Sequence, residues 1–505
     1  MPNSALAQEF QGGIVIANNS SGSMKIVQAP LPDSVILPLQ QRIGDEAVAL
    51  VAVGDEVLTG QLIAETTDYF CTPIHATISG IISAIDKQII PHKSGLKSNC
   101  ISIKSDGKDE WISLNQQHKN FLQSPPEKLI DAIQAAGIVG LGGGGFPTHA
   151  KLKNLTNCQT IIINGTECEP GIMCDDALMQ NHPLEVISGV EILLHICAAS
   201  RAIIAIEDDK PAAFSALQKC NKNQQISIVK IPTKYTSGAE KLLIKSLLNI
   251  EIPSGSFASD EGIICQNVAT VKAISDAIIE GKPLVSRVVT VTGSGVAIPQ
   301  NYEVRLGAKF ADIIAASKPN NLPHNLRMGG LMMGLDVENI GLPIGKISNC
   351  IFVNNAEKKP AEQPCIRCGQ CNLVCPVGLL PQQLFWWSKH KNTEKAMDYN
   401  LPDCIECRCC DFVCPSHIPL AQHFVAAKEL NYQQTQQQYK TAIAKKRFEF
   451  RQFRLERNAA ERAEMMAKKR AELQKKMAND KSQKAKIAKA LERVKTKKDE
   501  NNSNI

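Results

Sequence analysis

Between Gly54 and Ile85 apolar and polar residues alternate between glycine turns, first through Gly54–Glu65 and again through Pro73–Ile85. A period of two with glycine punctuation predicts short, half-buried strands, so residues 1–120 are expected to form a β module. At Pro125 the pattern changes. Glu127–Ala136 carries a helical period, Thr160–Asn164 is an apolar strand run, and Pro183–Ala199 is a long apolar helix. A strand at Ala202–Glu207 and a helix at Pro211–Lys222 follow. Strand and helix in alternation predict a layered α/β domain over residues 121–280. Arg287–Gly293 and Gly307–Ala316 predict a strand pair backed by a helix, a small β-grasp-like module over 281–355. After Gln433 there is neither Gly nor Pro, and Lys, Arg, Ala, Glu and Gln dominate. That composition predicts a long solvated helix or a disordered arm over 431–505.

The most apolar long stretch, Val186–Ile206, contains Glu191, His195 and Arg201. It suits a buried helix followed by a strand better than a membrane span. Met1–Phe10 has neither the basic nor the apolar region of a secretory leader, so membrane attachment is expected to be peripheral. The net charge of +6 hides an asymmetry. Residues 440–505 hold 21 Lys/Arg against 9 Asp/Glu, a net +12, which leaves the first 439 residues at −6. After Tyr439 the tail has no Trp or Tyr and only three Phe, so the stacking residues of a nucleic-acid arm are scarce and no nucleic acid is expected. Mixed Lys, Glu and Ala suits an anionic membrane surface, an acidic partner or a solvated helix that tunes docking.

Two cysteine runs fall in residues 356–430. Cys365, Cys368, Cys371 and Cys375 form the first, and Cys404, Cys407, Cys410 and Cys414 the second. Each reads C-x2-C-x2-C-x3-C-P, the spacing of ferredoxins with two [4Fe–4S] clusters, in which the fourth cysteine ligates the other cluster. One cluster is therefore expected to take Cys365, Cys368, Cys371 and Cys414, and the other Cys404, Cys407, Cys410 and Cys375. A zinc site closes one tetrahedron from two separated pairs and has no use for two such runs. Cys409 breaks the spacing and is expected to be a spectator. The cysteines outside the runs show no disulfide-scaffold pattern, which with the clusters suits a reducing cytosol.

Gly142, Gly143, Gly144 and Gly145 in succession leave backbone N–H groups open to an anion, with Lys151 as a counter-charge. The loop follows neither the dinucleotide nor the P-loop pattern, because Phe146 and Pro147 interrupt it. After the strand at Thr160–Asn164, the turn Asn164–Gly171 places Asn164, Glu167 and Glu169 at a strand end, where open α/β sheets bind ligands. A flexible surface turn and a solvated acidic turn are the plain alternatives.

Together, loop and turn resemble the flavin site of the flavoprotein subunit of respiratory complex I. Ser237–Leu243 and Cys265–Thr270 are similar to two further segments of that family. The resemblance implies that Gly142 to Gly145, Lys151, Asn164 and Asn267 touch flavin mononucleotide (FMN), while Glu167 and Glu169 face NAD(H) as catalytic-site residues. This chain lacks that family's loop arginine between Gly137 and Lys151, so phosphate neutralisation falls to backbone donors and Lys151, and weak flavin binding is expected.

Residues 1–120 resemble the barrel-sandwich hybrid of biotinyl and lipoyl carriers. No lysine lies between Glu65 and Pro73, where a carrier's prosthetic arm would attach. A carrier-like module, a flavin fold, a β-grasp module and a two-cluster segment, in that order, resemble the RnfC (RsxC) family of the Rnf electron-transport complexes. This implies a multidomain α/β chain peripheral to the cytoplasmic side of the bacterial inner membrane. The implied partners are integral membrane subunits and a ferredoxin-type iron–sulfur subunit. The implied activity is ion-translocating ferredoxin:NAD⁺ oxidoreduction, with hydride exchange between NAD(H) and FMN and single electrons passed to the clusters. The alternative is an iron–sulfur relay and docking subunit without its own flavin chemistry.

Overall fold

Short strands between glycine turns close the N-terminal region as two small sheets. In the computed structural model, which describes residues 10–16, 23–40, 44–92, 95, 97–153, 157–321, 324–356 and 360–501, one sheet has the strand order Ser34–Pro38, Lys97–Ser105, Gly80–Ile89, Glu56–Val57. The other runs Val48–Ala49, Leu62–Glu65, Ile74–His75. Residues 1–9 of the stretch read for a leader lie outside the described residues. Ile63, Ile78, Ile82, Ile101 and Ile103 fill the space between the sheets and are fully buried. Gly80 permits the closest approach: at φ +153° a Cβ there would lie 2.0 Å from the Lys104 carbonyl oxygen.

The first strand, Ser23–Gln28, does not join this module. It pairs in parallel with Gln300–Arg305, far along the chain. Most of its side chains are exposed and only Met24 and Ile26 are half-buried, so it has little apolar surface to give a barrel, while its backbone groups still need partners. An open edge of a larger sheet satisfies them. That sheet has six strands, in the order Ser23–Gln28, Gln300–Arg305, Ser286–Thr292, Cys350–Asn355, His324–Met328, Leu335–Val337. The helix Phe310–Ala316 lies against it and buries Phe310, Ile313 and Ile314. The strand pair and helix expected from the sequence are its nucleus, and the last three strands extend it.

The α/β domain has four parallel strands, ordered Ile226–Ile231, Arg201–Glu207, Thr160–Gly165, Ile263–Asn267. Ile161, Ile162, Ile163, Ile204 and Ile206 are fully buried, as continuous apolar runs covered on both faces should be. Helices Pro183–Cys197 and Val268–Ser275 pack together over one face. From Thr160–Gly165 the chain adds strands to one side, then returns with Ile263–Asn267 on the other. The strand order therefore reverses between these two strands.

Hydrogen bonds tie the modules into one unit from residue 10 to Ala427. Thr77 Oγ1 donates to the Leu306 carbonyl at 2.6 Å, and Arg305 pairs with Asp109 at 2.5 Å while lying over the Trp111 ring. The cysteine segment has its own small core around Leu384, Leu401 and Phe424. The helix Leu420–Asn501 closes the chain, and from Lys428 it forms a separate unit. There it is predominantly polar, with exposed apolar side chains such as Phe448, Phe453 and Leu473 among the charges, and carries i,i+4 ion pairs such as Lys468 with Glu464 and Arg457 with Glu461. No helix among the described residues is long and apolar enough to cross a membrane.

Candidate functional site

Open parallel sheets bind ligands beyond the carboxyl ends of their strands, at the point where strand order reverses. Here that point lies between Thr160–Gly165 and Ile263–Asn267, and register sets Asn164 directly opposite Asn267. Asn267 caps the helix Val268–Ser275: its Oδ1 accepts from the Ala269 amide at 2.9 Å and its Nδ2 donates to Asp175 at 2.6 Å. Asn164 Oδ1 accepts from the amide and hydroxyl of Thr166, and its Nδ2 donates to the Gly238 carbonyl at 2.9 Å.

The glycine loop packs against Asn267 of this pair. Its neck is closed by the Gly140 amide on the Phe146 carbonyl and the Gly145 amide on the Gly140 carbonyl, and the Leu141 amide donates to Thr270 Oγ1. A Cβ on Gly142 would lie 3.0 Å from the Cβ of Asn267, so only glycine fits there without displacement. At Gly143 and Gly144 a Cβ would meet nothing within 4 Å. Gly143, at φ +93°, and Gly145, at φ +66°, turn the backbone through the left-handed region. The loop thus presents bare backbone to open space, a cradle suited to a phosphate-bearing group.

Lys151 sits on the helix Thr148–Lys153. Its Nζ donates to Glu240 at 2.9 Å and to the Cys265 carbonyl at 2.7 Å. The cation is therefore shared with a carboxylate and with the strand that ends at Asn267. One of its three N–H donors remains for a ligand.

The fold spends both acidic side chains of the turn on backbone donors. Glu167, buried, accepts from the amides of Asp175 and Asp176 at 2.9 and 3.1 Å and from the Cys174 thiol, so it caps the helix Cys174–Asn181 from a distance. Glu169 accepts from the amides of Met332 and Met333 at 3.0 and 2.7 Å and holds the loop that follows the strand His324–Met328. Burial, then the Asp175 charge, pushes Glu167 from its ordinary 4.5 to about 8. Burial likewise raises Glu169 and Asp175.

A raised carboxyl binds its proton more tightly in the folded state. The stability this gives is complete below pH 4.5 and is lost as pH rises toward 8. Local stability around Asp175 and Asp176 is therefore expected to fall by on the order of 2 kcal/mol between pH 5 and 8. Hydrogen exchange of those two amides measures it, and in Glu167→Gln the pH slope should flatten. An unchanged slope would remove Glu167 as its source.

Sequence reasoning missed Arg287. Its buried guanidinium, carried by the strand Ser286–Thr292, donates from Nη2 to the Leu141 carbonyl at 3.2 Å and from Nη1 to the Lys346 carbonyl. Burial depresses its pKa, and the Cys174 and Asp175 charges oppose this. The guanidinium thus ties the glycine-loop segment to the strand Ser286–Thr292 from behind. The available signal was a charged residue opening an otherwise apolar strand.

The two cysteine runs fold alike. Arg367 and Glu406, and Gly369 and Arg408, occupy matching left-handed positions, and the short helices Gln370–Leu373 and Cys409–Phe412 follow. The runs are also tied across each other: Ser416 Oγ donates to the Pro364 carbonyl at 2.9 Å, and the Gln363 amide to the Ser416 carbonyl. This brings Cys414 to the first run, where the Cys371 thiol is raised by burial and by Cys368, Cys365 and Cys414. Cys375 of the first run lines one cavity together with Cys404, Cys407, Cys409 and Cys410 of the second, with Leu379, Leu384 and Phe424 as apolar walls. The Leu379 amide donates to Cys375 Sγ at 3.3 Å. Cys365 and Cys368 are exposed. Cys407 and Cys409 are buried against Ile14, Tyr235 and Met332, and the Tyr235 hydroxyl donates to the Cys407 carbonyl at 2.7 Å. Cys409 both borders the cavity and fills this contact.

Three family models match along the chain. They are described as the RnfC barrel sandwich hybrid domain at residues 8–108, the Nuo51 FMN-binding domain at 133–276 and a 4Fe-4S dicluster domain at 364–418. A Yersinia pestis protein, named as the C subunit of an ion-translocating oxidoreductase complex, is 44% identical over 460 residues, 89% of this chain and 73% of that protein. The chain belongs to this RnfC family. Like-named proteins of Vibrio cholerae and Edwardsiella ictaluri are 43% and 44% identical over 97% and 90% of the chain. The chain spans 64% and 58% of their lengths. Among solved structures, an NAD⁺-reducing [NiFe]-hydrogenase in the H2-reduced state has a TM-score of 0.44 at 17% identity, over 62% of each chain. The family's parts are present here: an RnfC-type barrel, an FMN-binding domain and a 4Fe-4S dicluster domain on a mixed α/β scaffold.

Proposed function

We propose that this chain exchanges electrons between NAD(H) and a membrane-bound, ion-translocating complex, acting as its peripheral subunit on the cytoplasmic side of the inner membrane. The observation that carries the reading is the bare glycine backbone against Asn267, whose register partner is Asn164, on the same compact unit as the two cysteine runs. FMN, when bound, converts the two-electron hydride chemistry of a nicotinamide into the single-electron steps that iron–sulfur clusters accept. Gly142 to Gly145, Asn164, Asn267 and the spare donor of Lys151 hold it. Glu167 and Glu169 shape the nicotinamide side by fixing the helix Cys174–Asn181 and the Met332–Met333 loop.

Cys404, Cys407, Cys410 and Cys375 hold one [4Fe–4S] cluster, and Cys365, Cys368, Cys371 and Cys414 the other. The set containing Cys407 faces Tyr235 and the flavin domain, while Cys365 and Cys368 face outward. This is the order an electron path from flavin to a partner subunit requires. The partners are integral membrane subunits and a ferredoxin-type iron–sulfur subunit. NADH added to the reconstituted chain with FMN is expected to bleach the cluster absorbance. Absence of bleaching, with clusters and FMN both quantified as bound, would favour a relay without its own flavin chemistry.

A further inference from the structure

A second cavity lies behind the glycine loop, at the junction of the barrel, the α/β domain and the β-grasp module. It measures about 90 Å³ and is lined mainly by apolar side chains, among them Leu37, Ile74, Leu306 and Ile344, with Val139 and Gly145 of the glycine-loop segment. Exposed Gln40 stands at its rim. Lys346 and His75 are among its lining residues. Lys346 Nζ donates to the Gly137 carbonyl at 2.7 Å and to Thr72 Oγ1 at 3.2 Å. His75, only 9% exposed, has its Nδ1 enclosed with no hydrogen-bond partner. The place a Cβ would take on Gly137 lies 3.3 Å from Lys346 Nζ and 3.6 Å from His75 Nδ1, so the two nitrogens share one corner.

Neither Lys346 nor His75 belongs to the flavin or cluster sites, and the corner is unusual for a protein interior. An ammonium has three donors and Lys346 uses two. Among the described residues no carboxylate pairs with it. Buried cations are ordinarily paired, and a buried ring nitrogen without a partner is costly. A ligand with an anionic oxygen and a short apolar body would satisfy the spare Lys346 donor and the walls at once.

We propose that this cavity binds a small apolar monocarboxylate, its carboxylate accepting from Lys346 Nζ and its hydrocarbon part lying against Leu37, Ile74, Leu306 and Ile344. A neutral alcohol of the same shape brings one oxygen and no charge, and binds less well. Burial holds Lys346 at about 7, opposed only by Cys71, and keeps His75 neutral, near 3, with Lys346 adding to the effect. Near neutral pH a bound carboxylate therefore raises Lys346 and draws in a proton, and affinity weakens as pH rises above 7.

Calorimetry on the full chain with its clusters and FMN loaded tests this, with benzoate and hexanoate as probes and benzyl alcohol as control. Both acids should bind, with proton uptake at pH 7.5 read from buffers of different ionisation enthalpy. Lys346→Met should weaken them by about tenfold or more, the loss of a hydrogen-bonded charge. Leu306→Phe fills the cavity and leaves the amine, so it should block binding even where Lys346→Met folds poorly. Equal affinity for benzoate and benzyl alcohol, no binding of either acid at ~10 mM (a free energy below about 3 kcal/mol), or unchanged binding in both variants would overturn the proposal.

Discussion

Replacing Cys375 with serine is expected to remove the cluster of the second cysteine run, although Cys375 lies in the first. The cavity that collects Cys404, Cys407 and Cys410 has Cys375 on its wall, and the Leu379 amide already donates to its sulfur. A serine hydroxyl stays protonated where a thiolate would ligate, so one corner is lost. Iron should fall from about eight to about four atoms per chain, the content of one [4Fe–4S] cluster. The signal that survives in the EPR spectrum of the reduced protein should be that of the exposed set. Cys414→Ser should give the converse, losing the exposed cluster and keeping the buried one. Cys409→Ser is the control: packed with Tyr235 and Met332, it should keep full iron. If Cys375→Ser instead abolished the signal that Cys365→Ser abolishes, each run would ligate its own cluster. The crossing is then wrong.

What could be read in advance follows from how local the causes are. Cysteine spacing is local, because neighbouring corners of a cluster are a few residues apart in the chain. The alternation around Gly54–Ile85 and the apolar run at Thr160–Asn164 are local too, and both became the elements they predict. The strand Ser23–Gln28 is not local in this sense. With only Met24 and Ile26 half-buried it has little apolar face to announce its partner, and that partner lies beyond residue 299. Glu167 and Glu169 illustrate a different limit. Their type and place suggested carboxylates facing a ligand, yet the structure turns both onto amides that only the tertiary fold delivers. Arg287 and Lys346 escaped notice because each is a single charge in an apolar stretch, and its meaning depends on a carbonyl supplied by another module.

Gly144→Val is expected to lower FMN affinity while leaving the fold intact, and the contrast with its neighbours makes the test sharp. Gly142 cannot gain a Cβ without pressing on Asn267, and Gly143 and Gly145 have positive φ, so substitution at any of the three perturbs the loop itself. Gly144 has neither constraint. A Cβ there meets nothing within 4 Å and its φ is ordinary, so valine is free to fold. Its methyl groups would occupy the space into which the bare backbone now faces. A ligand seated on that backbone must retreat, which by analogy with overpacking costs about 1–3 kcal/mol, or roughly five- to a hundredfold in affinity. Titration of the apoprotein with FMN, followed by flavin fluorescence, measures the loss, and thermal unfolding in the absence of FMN checks that the fold is unchanged. The two readouts separate the cases. Lower affinity with unchanged unfolding supports the loop as the phosphate cradle. Unchanged affinity would take the four glycines out of the flavin site and leave Asn164 and Asn267, at the reversal of the sheet, to hold a ligand from another side.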